Sequence, residues 1–123
     1  MQKFTGELLV ESLGNQWVLK RAFHFYYINE SGGQTDVIIP EGFITDFAST
    51  PKLLYSVFPP IGIYNKATIV HDYLYSKECS LIISRLEADK YFLQAMAVLG
   101  VEKWRRSLVY FGVRLHGKNR FRI

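Results

Sequence analysis

The sequence predicts an α+β protein, an N-terminal antiparallel β-sheet packed against a C-terminal three-helix region. Three observations carry that prediction. Apolar residues of the first half recur with period two between turn clusters. Those of the second half recur at three- and four-residue spacing. Between them Ser84-Arg-Leu-Glu87 gives a complete capping box, with serine at the N-cap and glutamate at N3. A chain of 123 residues, 49% hydrophobic and 15% aromatic, is long and apolar enough to bury one core. The expected layout is a single domain over 1–123, mainly β to residue 48, mainly helical over 49–117, with a basic tail at 118–123.

In chain order, residues 4–28 read as β structure. Glu7–Glu11 leads to a turn at Leu13-Gly14-Asn15-Gln16, and a second run extends from Trp17 to Ile28. Within it Phe23, Phe25 and Tyr27 alternate with Ala22, His24 and Tyr26. Asn29–Gly33 is the next turn, Thr35–Ile39 the next strand, and Pro40-Glu41-Gly42 a further turn. Phe43, Thr45 and Phe47 then alternate with Ile44, Asp46 and Ala48. Thr50-Pro51 opens a short helix through Val57, which Pro59-Pro60 stops. A central helix spans about Asn65 to Ser76, a second runs from Ser84 to about Leu99 with Gly100 at C′, and a third from about Val101 to His116. On the third, Trp104, Leu108, Phe111 and Leu115 share one face and are expected to pack inward.

The central helix concentrates the chemistry. Ala67, Val70 and Leu74 form an apolar stripe, while Thr68, His71, Asp72 and Tyr75 form a polar and aromatic face, so burial on both sides is expected. Asp89 lies beside the core stripe of the second helix (Ala88, Phe92, Ala95, Met96, Leu99), among Leu86, Phe92, Leu93 and Met96. A buried carboxylate needs a partner or it titrates to neutral, so Asp89 is the most anomalous acid in the chain.

Charge is uneven. Residues 1–102 carry 8 Lys/Arg against 11 Asp/Glu, and residues 103–123 carry 7 Lys/Arg and no acid. A basic end attracts phosphates, acidic lipid or an acidic protein surface, though a solvated face is the ordinary reading. With the aromatics of the last helix turned inward, nucleic-acid binding is expected to be weak and salt-dependent at most. A protein partner with an acidic groove, or a second copy, is the expected user of the tail. The single Cys79 cannot form an internal disulfide, which suits a reducing compartment or redox indifference. The first residues lack the apolar core of a signal peptide, and no apolar run reaches the roughly 18 residues of a membrane span. A soluble, intracellularly made protein is expected.

Three motifs carry a resemblance: Gly42-Phe-Ile-Thr-Asp-Phe-Ala-Ser-Thr-Pro51, His71-Asp-Tyr-Leu-Tyr75, and Ser84-Arg-x-x-Ala88-Asp89-x-x-Phe92. Their order and spacing over residues 36–117 resemble a family of small phage and prophage proteins known as a domain of unknown function. The resemblance implies a phage or prophage origin, synthesis in the host cytoplasm and, for a structural component, incorporation in the virion. It implies no activity.

Together the motifs offer Asp46, His71, Asp72 and Asp89 from separate elements, with Ser49, Thr68 and Tyr75 as supporting hydroxyls. Two readings stand side by side. In the first, Asp46, His71, Asp72 and Asp89 hold a divalent metal ion that activates water, or run acid–base chemistry with Ser49 and Tyr75. In the second, the same cluster is a structural polar network inside a non-enzymatic virion or assembly protein. The zinc patterns H-E-x-x-H and C-x-x-C, a P-loop, G-x-G-x-x-G and G-x-S-x-G are absent.

Overall fold

The computed structural model describes residues 3–28, 31–45 and 65–122. The expected helix over 50–57, and with it Asp46 and Ser49, lies outside them. The fold is α+β, with strands N-terminal and helices C-terminal. The chain divides between residues 46 and 47 into two compact units.

The first unit holds two three-stranded antiparallel sheets rather than the one sheet expected. Strand β1 (Lys3–Thr5) lies beside β4 (Phe23–Ile28), which pairs with β5 (Gln34–Ile39). Strands β2 (Val10–Ser12), β3 (Trp17–Leu19) and β6 (Ile44–Thr45) form the other sheet in that order. The expected hairpin at Gly14-Asn15 is present, with Ser12 opposite Trp17. The period-two reading also holds: Phe23, Phe25, Val37 and Ile39 are buried, while His24 and Tyr26 are half-buried and Ile38 is exposed. What breaks the single long strand is Lys20-Arg21-Ala22, three exposed residues in a row. Before them Leu19 exchanges backbone bonds with Gly42 and Phe43; after them Phe23 pairs with Ile39. Alternation cannot continue through three exposed positions, so the chain changes sheets there.

The second unit holds α1 (Asn65–Tyr75), α2 (Arg85–Val98), α3 (Lys103–His116) and a 3₁₀ turn at Lys118–Arg120. Helix α2 packs against both α1 and α3. Every residue of α1 from Ala67 to Tyr75 is buried, as its two faces implied. The capping box of α2 forms in both directions, Glu87 N–H to Ser84 Oγ at 3.1 Å and Ser84 N–H to Glu87 Oε1 at 3.2 Å. At its other end Gly100 takes φ +82°, where a side chain is strained. Val101 N–H then reaches Met96 O and Gly100 N–H reaches Ala97 O, a Schellman closure. Of the expected α2 stripe, Ala88, Phe92, Ala95 and Met96 are buried, whereas Leu99 is half-buried.

Helix α3 corrects the sequence reading. Its inward residues are Val109, Gly112 and Val113, while Trp104, Leu108, Phe111 and Leu115 are 52%, 47%, 62% and 77% exposed. The rotation follows from polar contacts that hydrophobic periodicity does not register. Arg114 of α3 reaches Asp89 of α2, and Arg85 of α2 donates to the Val113 and Arg114 carbonyls at 3.2 and 3.3 Å. Those bonds and the small residues Gly112, Val109 and Val113 set which face meets the protein. The premise that no aromatic of this helix is left exposed is therefore overturned.

Within the expected basic tail, Arg122 folds back onto the end of α1. Its N–H donates to Tyr75 O at 2.6 Å, its Nε to Leu74 O at 3.3 Å and its Nη2 to Leu81 O at 2.9 Å. The last carbonyls of a helix have no intrahelical donor, and Arg122 supplies two of those at the end of α1.

Candidate functional site

Of the expected cluster of Asp46, His71 and Asp89, the last two meet, and their contact is wholly internal. Both side chains are 0% exposed. His71 Nε2 lies 2.7 Å from Asp89 Oδ1, and Tyr75 Oη donates to the same oxygen at 2.6 Å. The other oxygen, Oδ2, accepts from Arg114 Nη1 at 2.8 Å and faces Arg85 Nη1 at 3.5 Å. An ionised carboxylate only accepts, so the bond to His71 is a donation from Nε2. Local helix geometry produces part of this array. His71 and Tyr75 stand one turn apart on α1, and Arg85 and Asp89 one turn apart on α2, so each pair shares a helix face.

Packing locks the ring. The imidazole stacks on Phe92 with centroids 4.4 Å apart and lies 4.2 Å from the Tyr75 ring. Phe121 meets Tyr75 edge-on at 5.1 Å. On the far side Gly117 leaves room for the phenol, since a Cβ there would lie 2.6 Å from Tyr75 Oη and 2.6 Å from Val113 O. A methyl group at 117 would push the tyrosine hydroxyl off Asp89.

The electrostatics follow from this geometry. Burial alone would push the Asp89 carboxyl up, but hydrogen bonds from His71 and Tyr75, the charge of His71 and the Arg114 bond outweigh it. The carboxyl is held below the ordinary aspartate value. Burial first, then the bond to Asp89, push the Tyr75 phenol well above the ordinary tyrosine value. Each shift predicts one limb of a stability profile. On acidification the unfolded chain takes up the Asp89 proton first, near its free value of about 3.9, so the carboxylate's contribution is held above that pH and lost below it. On the alkaline side the unfolded tyrosine ionises first, near pH ~10, so the Tyr75 contribution is full below that pH and lost above it. Urea midpoints measured across this range should fall at both ends. Tyr75→Phe should flatten the alkaline limb and spare most of the acid limb; an unaltered alkaline limb would count against this assignment.

The remaining site expectations divide. Thr68 and Asp72 are buried on α1, 4% and 8% exposed, with Asp72 turned about 100° around the helix from His71. Asp46 and Ser49 lie outside the described residues. Among the described residues no group of three or more His, Cys, Asp or Glu side chains gathers that could hold a metal ion.

Sequence reasoning missed Arg85, Arg114 and Gly117. Arg85 had a readable signal, standing four residues before an acid on a capped helix. For Arg114 and Gly117 there was none, because Asp89 and Tyr75, which they meet, are 25 and 42 residues away on other helices.

Comparison with known proteins adds a family. Residues 17–113 match the family described as "Protein of unknown function (DUF1353)". No curated protein matches, and no solved structure matches.

Proposed function

We propose that this protein, which belongs to the DUF1353 family, acts without turnover, as a virion (tail or head) or assembly accessory of a phage or prophage. In this reading the His71–Tyr75–Asp89–Arg114 array is a structural network. The observation that supports it is the burial of one carboxylate under three hydrogen-bond donors and a neighbouring guanidinium. Asp89 has about four acceptor positions; His71, Tyr75 and Arg114 take three of them by hydrogen bonds, and the Arg85 guanidinium stands 3.5 Å from Oδ2. A fully buried acid that already holds three donors, with a guanidinium beside it, is poorly placed to take a substrate proton or a metal ion. Together these groups tie three helices, since His71 and Tyr75 come from α1, Arg85 and Asp89 from α2, and Arg114 from α3. The phage origin rests on the order and spacing of the three motifs.

The competing reading places chemistry at the same cluster, with Asp46, Asp72 and Ser49 completing it around a divalent ion. The short His71–Asp89 bond favours it, because a carboxylate that fixes an imidazole is also how acid–base sites are built. Thermal unfolding with magnesium, manganese and zinc separates the two. A structural network predicts no saturable rise in melting temperature. A rise of several degrees, as about 2.7 kcal/mol would give at a hundredfold excess over Kd, that disappears in His71→Ala would overturn the proposal.

A further inference from the structure

Helix α3 leaves four large apolar side chains exposed. Trp104, Leu108, Phe111 and Leu115 follow one another at three- and four-residue spacing, so they form a single convex ridge roughly 16 Å long. Their exposures run from 47% to 77%, the largest being that of Leu115. Scattered exposed leucines need no explanation, but a continuous ridge opposite the packed face of a helix does.

The charges around the ridge identify its occupant. Lys103 and Arg105 stand at one end, and Lys118 and Arg120 just beyond the other. Arg105 lies over the Trp104 ring at 4.5 Å and pairs with Glu102 at the exposed N-terminus of the helix. Residues 103–123 contain no acid at all. A second copy seated on this ridge would set Lys103, Arg105, Lys118 and Arg120 mostly against like charges, with Glu102 of each copy already paired to its own Arg105. A single strand of nucleic acid would suit the cations and Trp104 and Phe111, but Leu108 and Leu115 offer no aromatic face for a base to stack on. A protein groove would need an apolar floor between acidic rims placed at both ends of the ridge. An anionic bilayer surface supplies both features without shape complementarity, since hydrocarbon lies beneath a plane of negative headgroups.

We infer that α3 is an interfacial helix, with Trp104, Leu108, Phe111 and Leu115 entering the headgroup–acyl boundary of an anionic membrane and Lys103, Arg105, Lys118 and Arg120 holding its headgroups. The inference rests on α3 alone and is independent of whether the buried network is structural or chemical.

The experiment is flotation of the purified full chain with vesicles, either phosphatidylcholine alone or an equal mixture with phosphatidylglycerol. The protein floats with the anionic vesicles, and much less with the neutral ones. Raising salt from about 50 mM to about 500 mM releases most of it. The double replacement Leu108→Gln with Phe111→Gln alters no charge and touches only exposed positions, so its melting temperature stays near the parent's. It lowers partitioning by about tenfold or more, the effect of withholding two large apolar side chains from hydrocarbon. Failure to float with anionic vesicles at low salt overturns the inference. So does flotation that the double replacement leaves unchanged, since that is adsorption by charge alone. A concentration-dependent dimer in sedimentation, abolished by the same replacement, would assign the ridge to a second copy instead. Tight binding of a single-stranded DNA oligonucleotide that survives physiological salt and depends on the ridge would assign it to nucleic acid.

Discussion

Asp89→Ala is expected to destabilise the protein by about 3–5 kcal/mol, the range for breaking a buried charged pair by removing one partner. The loss is not that of one hydrogen bond. Removing the carboxylate leaves His71 Nε2 and Tyr75 Oη without their acceptor and takes from Arg114 the anion it reaches at 2.8 Å. His71 is 0% exposed and Tyr75 3%, so water cannot replace what those two lose. Arg114, at 29% side-chain exposure, can turn partly outward, which keeps the loss within that range. Asp89→Asn should fall between parent and alanine, because the amide keeps one acceptor oxygen and loses the charge. Urea unfolding of the three proteins checks the order.

His71→Ala is expected to cost a comparable amount, about 3–5 kcal/mol, from two sources. A hydrogen bond to a charged group contributes about 1.5–3 kcal/mol, and the ring leaves a cavity against Phe92 and Tyr75. Because both replacements act on one bond, the double variant should lose less than the sum of the two. The expected coupling is about 0.5–3 kcal/mol, read from a double-mutant cycle. Melting temperatures almost unchanged by either replacement would mean that the cluster is held at the expense of stability, as functional sites often are. That outcome would sink the structural reading and restore acid–base chemistry at His71.

Some of the site was legible before any coordinates. Asp89 stood out as an acid on an otherwise apolar helix face, and burial of both faces of α1 followed from Ala67, Val70 and Leu74 opposite Thr68, His71 and Tyr75. Even so, the neighbours that made Asp89 anomalous were only partly the right ones, since Leu86 is 41% exposed. The donors that satisfy the carboxylate come from residues 71, 75 and 114, at distances along the chain where sequence spacing carries no geometric information.

What the sequence determined by itself is local: the strand alternation at Phe23, Phe25, Val37 and Ile39, the capping box at Ser84 and the glycine closure at Gly100. Each depends on contacts within a few residues, where backbone sterics and hydrogen bonding leave few alternatives. The rotation of α3 was decided by tertiary structure alone. Trp104, Leu108, Phe111 and Leu115 make the stronger apolar stripe, yet Val109, Gly112 and Val113 face inward. Hydrophobic periodicity ranks the faces of one helix. Which face packs inward is chosen by the partner helix, and here Arg85 and Asp89 of α2 meet the end of α3 through Arg114 and two carbonyls. A buried carboxylate that must find its cation outweighs the gain from burying a few more apolar groups.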